Sequence, residues 1–448
     1  MRVAPTKTAI MKAKALKAKV IGGGFAGCEA CYQLLKRGVD VTLVEMKPTK
    51  HSPAHHIDTL CEVVCSNSFK SDDINTSSGL LKAEMRLLDS LVVRIAEETR
   101  VPAGNALAVD RYLFSQKITD YLAGFDNFHR VSAVENSLDT DGYDFVIVAT
   151  GPLTDDALIP EFRRLFGDEF LYFFDAVAPI VSAESIDFDS AFVASRYGKG
   201  DPDYINCPMN KDEYLNFYDN LVNAETVELK DFENNVFEGC MPIEVMAKRG
   251  TDTMCFGPLK PVGLRDERKN EKPYAVLQLR KENAEGTLYN LVGFQTNLKY
   301  GEQKRVFSMI PALHDAEFIR YGVMHRNTFI NAPKFLNEHF QVVSCPKLFF
   351  AGQLTGVEGY MESTVSGLVA AVQAYRIFSG AEPIAFSPKT VTGALCKHVS
   401  TDFGEYSPMN SSFGILEPLA EHIRDKSQRK SEYSKRAIEV MKNIVNNL

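Results

Sequence analysis

The sequence has no apolar run close to the roughly 20 residues that a membrane-spanning helix requires. Its basic N-terminal stretch, MRVAPTKTAIMKAKALKAKV, also lacks the continuous apolar segment of a secretory signal, because lysines interrupt it. These absences exclude a membrane-embedded protein and argue against a secreted one. We predict a cytoplasmic protein in which residues 1–17 form a disordered leader.

An excess of positive charge is also lacking. The chain has 50 lysine and arginine residues against 58 aspartate and glutamate residues, a formal net charge of −8. This balance argues against a protein that coats nucleic acid by charge alone, although a local basic face stays open. Nine cysteines without a secretory signal indicate a reducing compartment, where thiols are free, metal-bound or catalytic.

The first structured segment, AKVIGGGFAGCEACYQLLKRGVDVTLVE at residues 18–45, predicts a strand, a glycine-rich turn, a helix and a second strand. In such a unit the glycines permit a tight turn and the close approach of a pyrophosphate, which the helix N-terminus then faces. The acidic residue that ends the second strand is placed to accept ribose hydroxyls. This unit fits NAD or FAD. Its predicted cofactor-binding residues are Gly22, Gly24, Phe25, Ala26, Gly27 and Glu45.

Two later segments favour FAD. YDFVIVATGP, residues 143–152, predicts a buried strand, and LFFAGQLTGVEGYMESTVSGLVAAVQA, residues 348–374, predicts a strand, a glycine-rich turn and a helix. Such segments recur in FAD-dependent proteins with two dinucleotide folds, although a plain strand–turn–helix is the alternative for the second. They add these predicted cofactor-binding residues: Ala149, Thr150, Gly151, Gly352, Gln353, Gly356, Glu358 and Gly359.

The predicted class is α/β, with a Rossmann-like FAD-binding domain assembled from both ends of the chain. We place its first part at residues 18–184 and its second part, which includes the C-terminal helices, at residues 312–448. Between them, residues 185–311 contain short strand patterns such as KPYAVLQLR and TLYNLVGFQT. They predict an inserted α+β domain.

Two cysteines have surroundings that could activate a thiol. Cys240, in FEGCMPIEVMAKRG, precedes a predicted helix in which Pro242 suits the first position and Glu244 the first turn. The positive end of that helix would lower the thiol pKa from about 8.5. Cys65, in VVCSNSFKS, ends an apolar run and opens a polar turn. For either residue alone, the alternative is a buried inert thiol.

The remaining cysteines predict packing rather than chemistry. Cys28 and Cys31 form a CxxC pair, but this pair lies inside the cofactor helix and not at an exposed redox turn. The set His55, His56, Cys61 and Cys65 has a spacing that fits none of the common structural zinc patterns. We therefore predict no metal site.

Ten segments, in order along the chain, resemble the bacterial folate/FAD-dependent tRNA (uracil-5-)-methyltransferases. The resemblance spans Lys19 to the C-terminus, and its segments are VIGGGFAGCEA, PAHHIDTLCEVVCSNSFKSD, LLKAEMRLLDSL, VPAGNALAVDR, ATGPLT, YFFDAVAPIV, FEGCMPIEVMAKRG, FGPLKPVGL, YGVMHRNTFIN and FFAGQLTGVEGY. It implies methylation of C5 of the T-loop uridine in tRNA. The carbon donor would be 5,10-methylenetetrahydrofolate, the cofactor FAD and the reductant NAD(P)H.

The resemblance also implies residue roles. Cys240 would add to uracil C6, and Cys65 would remove the C5 proton. His325, Arg326 and Asn327 would bind folate, and Lys248 and Arg249 would contact RNA phosphates, with Lys260, Arg265 and Lys299 as further candidates. Two alternatives stay open, namely the same chemistry on a 23S rRNA uridine and a flavin oxidoreductase that uses folate and NAD(P)H.

Overall fold

In its described residues, the computed structural model has two large sheets, one small sheet of two strands and one small sheet of three strands. It describes residues 15–167, 170–176, 178–198, 201–227, 241–266, 268, 272–322, 324–402, 406–421 and 423–448, and for residues 170–176 and 324–326 it describes the backbone alone.

The strands, in chain order, are β1 (Lys17–Ile21), β2 (Asp40–Glu45), β3 (Ser68–Ser71), β4 (Arg100–Val101), β5 (Ala106–Val109), β6 (Phe128–Ser132), β7 (Phe145–Val148), β8 (Phe170–Ala176), β9 (Ile180–Ser182), β10 (Phe192–Val193), β11 (Ile205–Met209), β12 (Ala275–Lys281), β13 (Leu288–Leu291), β14 (Phe318–Arg320), β15 (Met324–Ile330) and β16 (Leu348–Phe350). The helices are α1 (Phe25–Leu35), α2 (Ser77–Leu87), α3 (Leu91–Glu98), α4 (Arg111–Ala123), α5 (Ile159–Phe166), α6 (Lys211–Val222), α7 (Ile243–Lys248), α8 (Tyr300–Phe307), α9 (Ala332–Phe335), α10 (Tyr360–Phe378), α11 (Val391–Ser400) and α12 (Lys426–Val445).

The first sheet is parallel and has the order β16-β7-β1-β2-β6. The strand β16 comes from the C-terminal third of the chain and pairs with β7, so both ends of the sequence build one sheet. Strand β7 is an uninterrupted apolar run, and residues 18–21 of the central strand β1 are all buried, as expected of parallel strands that are covered on both faces. The predicted Rossmann-like domain assembled from both ends is confirmed.

Two helices of this domain pack very closely because glycines leave room between them. A Cβ atom at Gly367 of α10 would lie 2.1 Å from the carbonyl oxygen of Ala26 in α1. In the same way, a Cβ atom at Gly27 would lie 1.9 Å from the carbonyl oxygen of Gly22. These glycines let α1 approach both α10 and the turn after β1, which fixes where the N-terminus of α1 points.

The second sheet is antiparallel and has the order β10-β11-β12-β13-β9-β14. Helices α6, α7 and α8 pack on it around a separate apolar core that includes Phe217, Phe294 and Phe307. The inserted α+β domain is therefore confirmed as a class. Its predicted boundaries stay predictions, and the strands of this sheet span Ile180 to Arg320.

Some local features differ from expectation. Lys17, assigned to the leader, already belongs to β1, whereas residues 1–14 of that leader lie outside the described residues. Pro242 occupies the N-cap of α7 instead of its first position, and Ile243 begins the helix. In the described part of the chain, every helix is too short or too polar to cross a membrane.

We expect Gly367→Ala to destabilise the protein by about 1–3 kcal/mol, because the new methyl group would force the backbone of α1 to move. Gly301→Ala is the matched control, since a Cβ atom there meets nothing within 4 Å. This change should be neutral or stabilise α8 by up to about 1 kcal/mol. Urea unfolding followed by circular dichroism measures both, and equal effects would contradict the close packing of α1 on α10.

Candidate active site

A cavity of about 500 Å³ opens where the carboxyl ends of the first sheet's strands meet the second sheet. Residues that follow β1, β2, β7 and β16 line it, together with Arg280 of β12 and Gln295 after β13. The carboxyl edge of a parallel sheet is the usual location of ligand sites in α/β folds. The cavity is therefore the candidate active site.

The N-termini of two helices face this cavity. Gly24 caps α1 and Gly359 caps α10, and neither helix has a side-chain hydrogen bond at its N-cap. Their first residues hold the two ends together, since the rings of Phe25 and Tyr360 have centroids 4.5 Å apart. The first N–H groups of both helices and their positive ends suit an anionic group such as a pyrophosphate.

The turn after β1 leaves space for such a group. A Cβ atom at Gly24 would meet nothing within 4 Å, and Gly22 has a φ of +101°, which favours glycine. The Glu45 carboxylate accepts the backbone N–H groups of Gly23 at 2.5 Å and Lys47 at 3.0 Å. A carboxylate has about four acceptor positions, so Glu45 keeps capacity for ribose hydroxyls. These residues fit a dinucleotide.

Most of the residues predicted to bind the cofactor line the cavity. They are Gly22, Gly24, Phe25, Ala26, Glu45, Ala149, Thr150, Gly151, Gly352, Gln353, Glu358 and Gly359. Gly27 and Gly356 do not line it. Gly27 packs against the turn after β1, and the space next to Gly356 is filled by the hydroxyl of Tyr406, which would lie 2.5 Å from a Cβ atom. Both glycines serve close packing.

Cys65 lines the same cavity and is partly exposed. Its backbone N–H donates to the hydroxyl oxygen of Tyr360 at 2.8 Å, which joins the cysteine to the N-terminus of α10. Burial raises the pKa of the Tyr360 hydroxyl above its usual range, so this group stays neutral. The predicted thiol and the predicted dinucleotide site are thus held side by side.

Two arginines bind the carbonyl groups of three successive residues around this cysteine. Arg111, which begins α4, donates to the carbonyl oxygens of Val63 and Cys65, the latter at 3.2 Å. Arg320, at the end of β14, donates to the carbonyl oxygen of Val64. The segment that carries Cys65 is therefore held by one side chain from each half of the protein.

A buried ion pair completes this arrangement. The Arg111 guanidinium lies 2.7 Å from the carboxylate of Glu282, and both side chains are at most 5% exposed. Burial, and then repulsion from Arg111, lowers the pKa of Arg320. Arg111, Arg320 and Glu282 together place two positive charges and one negative charge beside the segment that carries Cys65.

Ser66 and Asn67, which follow Cys65, are also held by hydrogen bonds from an arginine. Arg280 of β12 donates to the hydroxyl of Ser66 at 2.6 Å and to the side-chain oxygen of Asn67 at 2.9 Å. The Asn67 amide in turn donates to the carbonyl oxygens of Val109 and Lys281. These arginines carry no predicted role, although Arg111 lies in the quoted segment VPAGNALAVDR. Arg280 is the one arginine in the largely apolar strand AVLQLRK, and this position could have indicated a buried arginine with specific partners.

Cys240 lies outside the described residues, but the segment after it is described. The N–H of Ile243 donates to the carbonyl oxygen of Gln295, a cavity-lining residue, at 2.7 Å. The buried Glu244 carboxylate accepts the N–H of Asn297 at 2.7 Å and the hydroxyl of Thr296 at 2.8 Å. The start of α7 is therefore fixed directly beside the cavity.

The predicted substrate-binding residues fall in three places. Asn327 is buried and lines the cavity. His325 and Arg326 belong to β15, but their side chains lie outside the described residues. Lys248 and Arg249 are exposed at the C-terminal end of α7 and do not line the cavity.

The surroundings of the other candidate metal ligands and redox-active cysteines indicate no metal-binding or redox role. Cys28, Cys31 and Cys61 are fully buried, and burial raises the pKa of Cys31 and Cys61 well above the usual range. Burial also lowers the pKa of His55 to about 4, so its ring is neutral at pH 7. Within the described ranges, no three His, Cys, Asp or Glu side chains converge as metal ligands.

Comparison with known proteins gives the family. Residues 17–382 match the family model described as glucose inhibited division protein A. The chain belongs to the glucose inhibited division protein A family. Its relatives include proteins named methylenetetrahydrofolate--tRNA-(uracil-5-)-methyltransferase TrmFO. The one from Acetivibrio thermocellus is 53% identical over 95% of this chain and 98% of its own length, and the one from Natranaerobius thermophilus is 52% identical over 96% and 99%.

Solved structures of this family share the fold. GidA of Aquifex aeolicus, in two crystal forms, has a TM-score of 0.69 to this chain at 15% and 16% identity. The alignment covers 96% of this chain and 74% or 76% of GidA. At such low identity the comparison establishes the fold alone. It agrees with the Rossmann-like domain and inserted domain, and the resemblance seen in the sequence motifs is confirmed by the TrmFO relatives.

We expect Glu282→Ala to cost about 3–5 kcal/mol of unfolding free energy, because it leaves the buried Arg111 charge without its carboxylate. Glu98→Ala is the control, since it removes the exposed carboxylate that pairs with Lys117 and should cost at most about 1 kcal/mol. Urea unfolding measures both. A cost for Glu282→Ala no larger than that for Glu98→Ala would show that the buried pair does not hold the sheets together.

Proposed function

We propose that this protein methylates C5 of the T-loop uridine in tRNA, with 5,10-methylenetetrahydrofolate as carbon donor and NAD(P)H as reductant. The observation that carries the proposal is the near full-length identity of 53% to a relative named as a methylenetetrahydrofolate-dependent tRNA (uracil-5-)-methyltransferase. The cavity supports it, because a thiol, a dinucleotide-shaped site and the start of α7 meet there. A cytoplasmic location follows as part of the proposal.

FAD is the proposed cofactor, and when bound it supplies hydride and one-carbon transfer chemistry. The N-termini of α1 and α10 would bind its pyrophosphate, and Glu45 would accept its ribose hydroxyls. The turns after β7 and β16 would form further walls of its site, through Ala149, Thr150, Gly151, Gly352 and Gln353. The protein's part is to position these groups and to exclude water.

The two proposed catalytic thiols would act on different atoms of the uracil base. Uracil C5 becomes nucleophilic only after a group adds to C6, and a thiolate adds well and leaves again. We assign this addition to Cys240, which forms and later breaks the bond between its sulfur and C6. We assign removal of the C5 proton to Cys65, which lines the cavity next to Arg111 and would accept that proton on its sulfur.

The substrate contacts remain predictions of the same proposal. Asn327, buried in the cavity wall, would bind folate together with His325 and Arg326 of the same strand. Lys248 and Arg249 would contact phosphates of the RNA, because they are exposed on the helix that follows Cys240. A loop uridine must be splayed out to reach the cavity, at a cost of a few kcal/mol.

We expect Cys240→Ala to retain the yellow FAD spectrum but to form no covalent adduct with T-arm RNA that contains 5-fluorouridine, because the sulfur that adds to C6 is gone. The control is Cys207→Ala, which changes a fully buried thiol in β11. Denaturing gel electrophoresis detects the adduct. Adduct formation by Cys240→Ala at the normal level would refute the assignment of the nucleophile.

The overall reaction is tested by mass spectrometry of 5-methyluridine in separated tRNA and 23S rRNA. The FAD-loaded protein is first incubated with unmodified bulk RNA, methylenetetrahydrofolate and NADH or NADPH. Methyl groups in the T-loop of tRNA are the expected result. Methyl groups in rRNA alone would show that the substrate is rRNA, and the proposed chemistry would stand. NAD(P)H oxidation coupled to folate reduction, with no methylated RNA, would favour the flavin oxidoreductase alternative.

A further inference from the structure

Three aromatic rings form a column at the surface of the second domain. The rings of Phe318 and Tyr321 have centroids 5.5 Å apart and planes 8° apart. The rings of Tyr321 and Tyr300 continue the column, with centroids 5.0 Å apart and planes 17° apart. The column ends at Tyr300, which is 57% exposed. Its last member therefore presents a ring to solvent at the end of a nearly parallel stack.

The column is anchored in the domain core. Phe318, its inner member, lies next to the fully buried Phe307, with ring centroids 6.4 Å apart. The backbone beside Tyr321 is fixed as well, because the Gln303 side chain accepts the N–H of Gly322 at 2.7 Å and donates to its carbonyl oxygen at 2.9 Å. A ring held in this way loses little conformational freedom when another ring stacks on it.

The column is tied to the segment that carries Cys65 and to helix α7. On one side, Arg320 directly precedes Tyr321 in the chain and donates to the carbonyl oxygen of Val64, next to Cys65. On the other side, Asn297, shortly before Tyr300, donates its N–H to the Glu244 carboxylate of α7 at 2.7 Å. The exposed ring therefore belongs to the framework that surrounds the cavity.

A basic residue lies on the same face of α8. Lys304 follows Tyr300 by four residues, which places the two side chains next to each other on the helix, and Lys304 is exposed. The column thus combines an exposed aromatic ring with a nearby cation. Proteins that bind unpaired nucleotides use this combination, stacking the base on the ring and binding the phosphate with the cation.

We propose that Tyr300 is a stacking platform for an unpaired nucleobase that neighbours the target uridine, with Lys304 at the adjoining phosphate. This inference rests on the proposed RNA substrate and adds a specific contact to it. A base on the outer face of Tyr300 would extend the existing column. The contact would hold the RNA loop open while its uridine enters the cavity.

The first test is the affinity of the FAD-loaded full chain for a fluorescein-labelled T-arm RNA, measured by anisotropy. We expect Tyr300→Ala to weaken binding about tenfold, and Tyr300→Trp to restore it. The control is Tyr121→Ala, because Tyr121 is 38% exposed but packs on Tyr32 near the C-terminal end of α1, away from the cavity. If Tyr300→Ala binds the RNA as tightly as the wild type does, the stacking platform is refuted, whereas the proposed RNA substrate is not.

The second test uses the absence of tryptophan from the natural sequence. Tyr300→Trp introduces a single indole, and we expect its fluorescence to be quenched when T-arm RNA binds, whereas Tyr121→Trp should show no quenching. Equal emission of Tyr300→Trp with and without bound RNA would overturn the stacking contact. Failure of the wild-type protein to bind the T-arm RNA at all would instead overturn the proposed RNA substrate, and the platform with it.

Discussion

The buried ion pair between Arg111 and Glu282 is the constraint on which the geometry of the site depends. Arg111 belongs to the first domain and Glu282 directly follows strand β12 of the second, so the pair joins the two sheets. Two buried charges are costly to desolvate and tolerate few alternative positions. Because the same arginine also binds the carbonyl oxygens beside Cys65, the relative position of the sheets and the position of the thiol are set together.

The proposed chemistry requires that groups from the two domains are held in fixed relative positions. One thiol must reach uracil C6 and another group must reach the C5 proton, on the same base and beside the cofactor. The first domain supplies Cys65 and two helix N-termini, whereas the second supplies the start of α7. Neither domain alone contains the full set. The arginines at the junction, Arg111 and Arg320, bind the carbonyl oxygens of residues 63–65 and so hold Cys65 at the cavity.

Glycine patterns and strand runs allowed much of the fold to be predicted from the sequence. The unit from β1 to β2, strand β7 and the β16–α10 segment were found because tight turns and buried parallel strands depend on local residue types. The arginine contacts were not found, because Arg111 and Glu282 are 171 positions apart and nothing in the local sequence of either residue indicates the other. The column of aromatic rings was not predicted for the same reason. Tyr300 and Tyr321 come into contact only when α8 packs on the second sheet.

We propose that Cys65 and Cys240 act on the same base in one cavity at the junction of the two domains, and this is the central claim. A short bifunctional thiol reagent, applied to the FAD-loaded full chain and followed by peptide mass spectrometry, tests this claim most directly. The account predicts a cross-link between the peptides that contain Cys65 and Cys240, and its loss when substrate RNA occupies the site. Separate modification of both thiols without any cross-link between them would contradict the account.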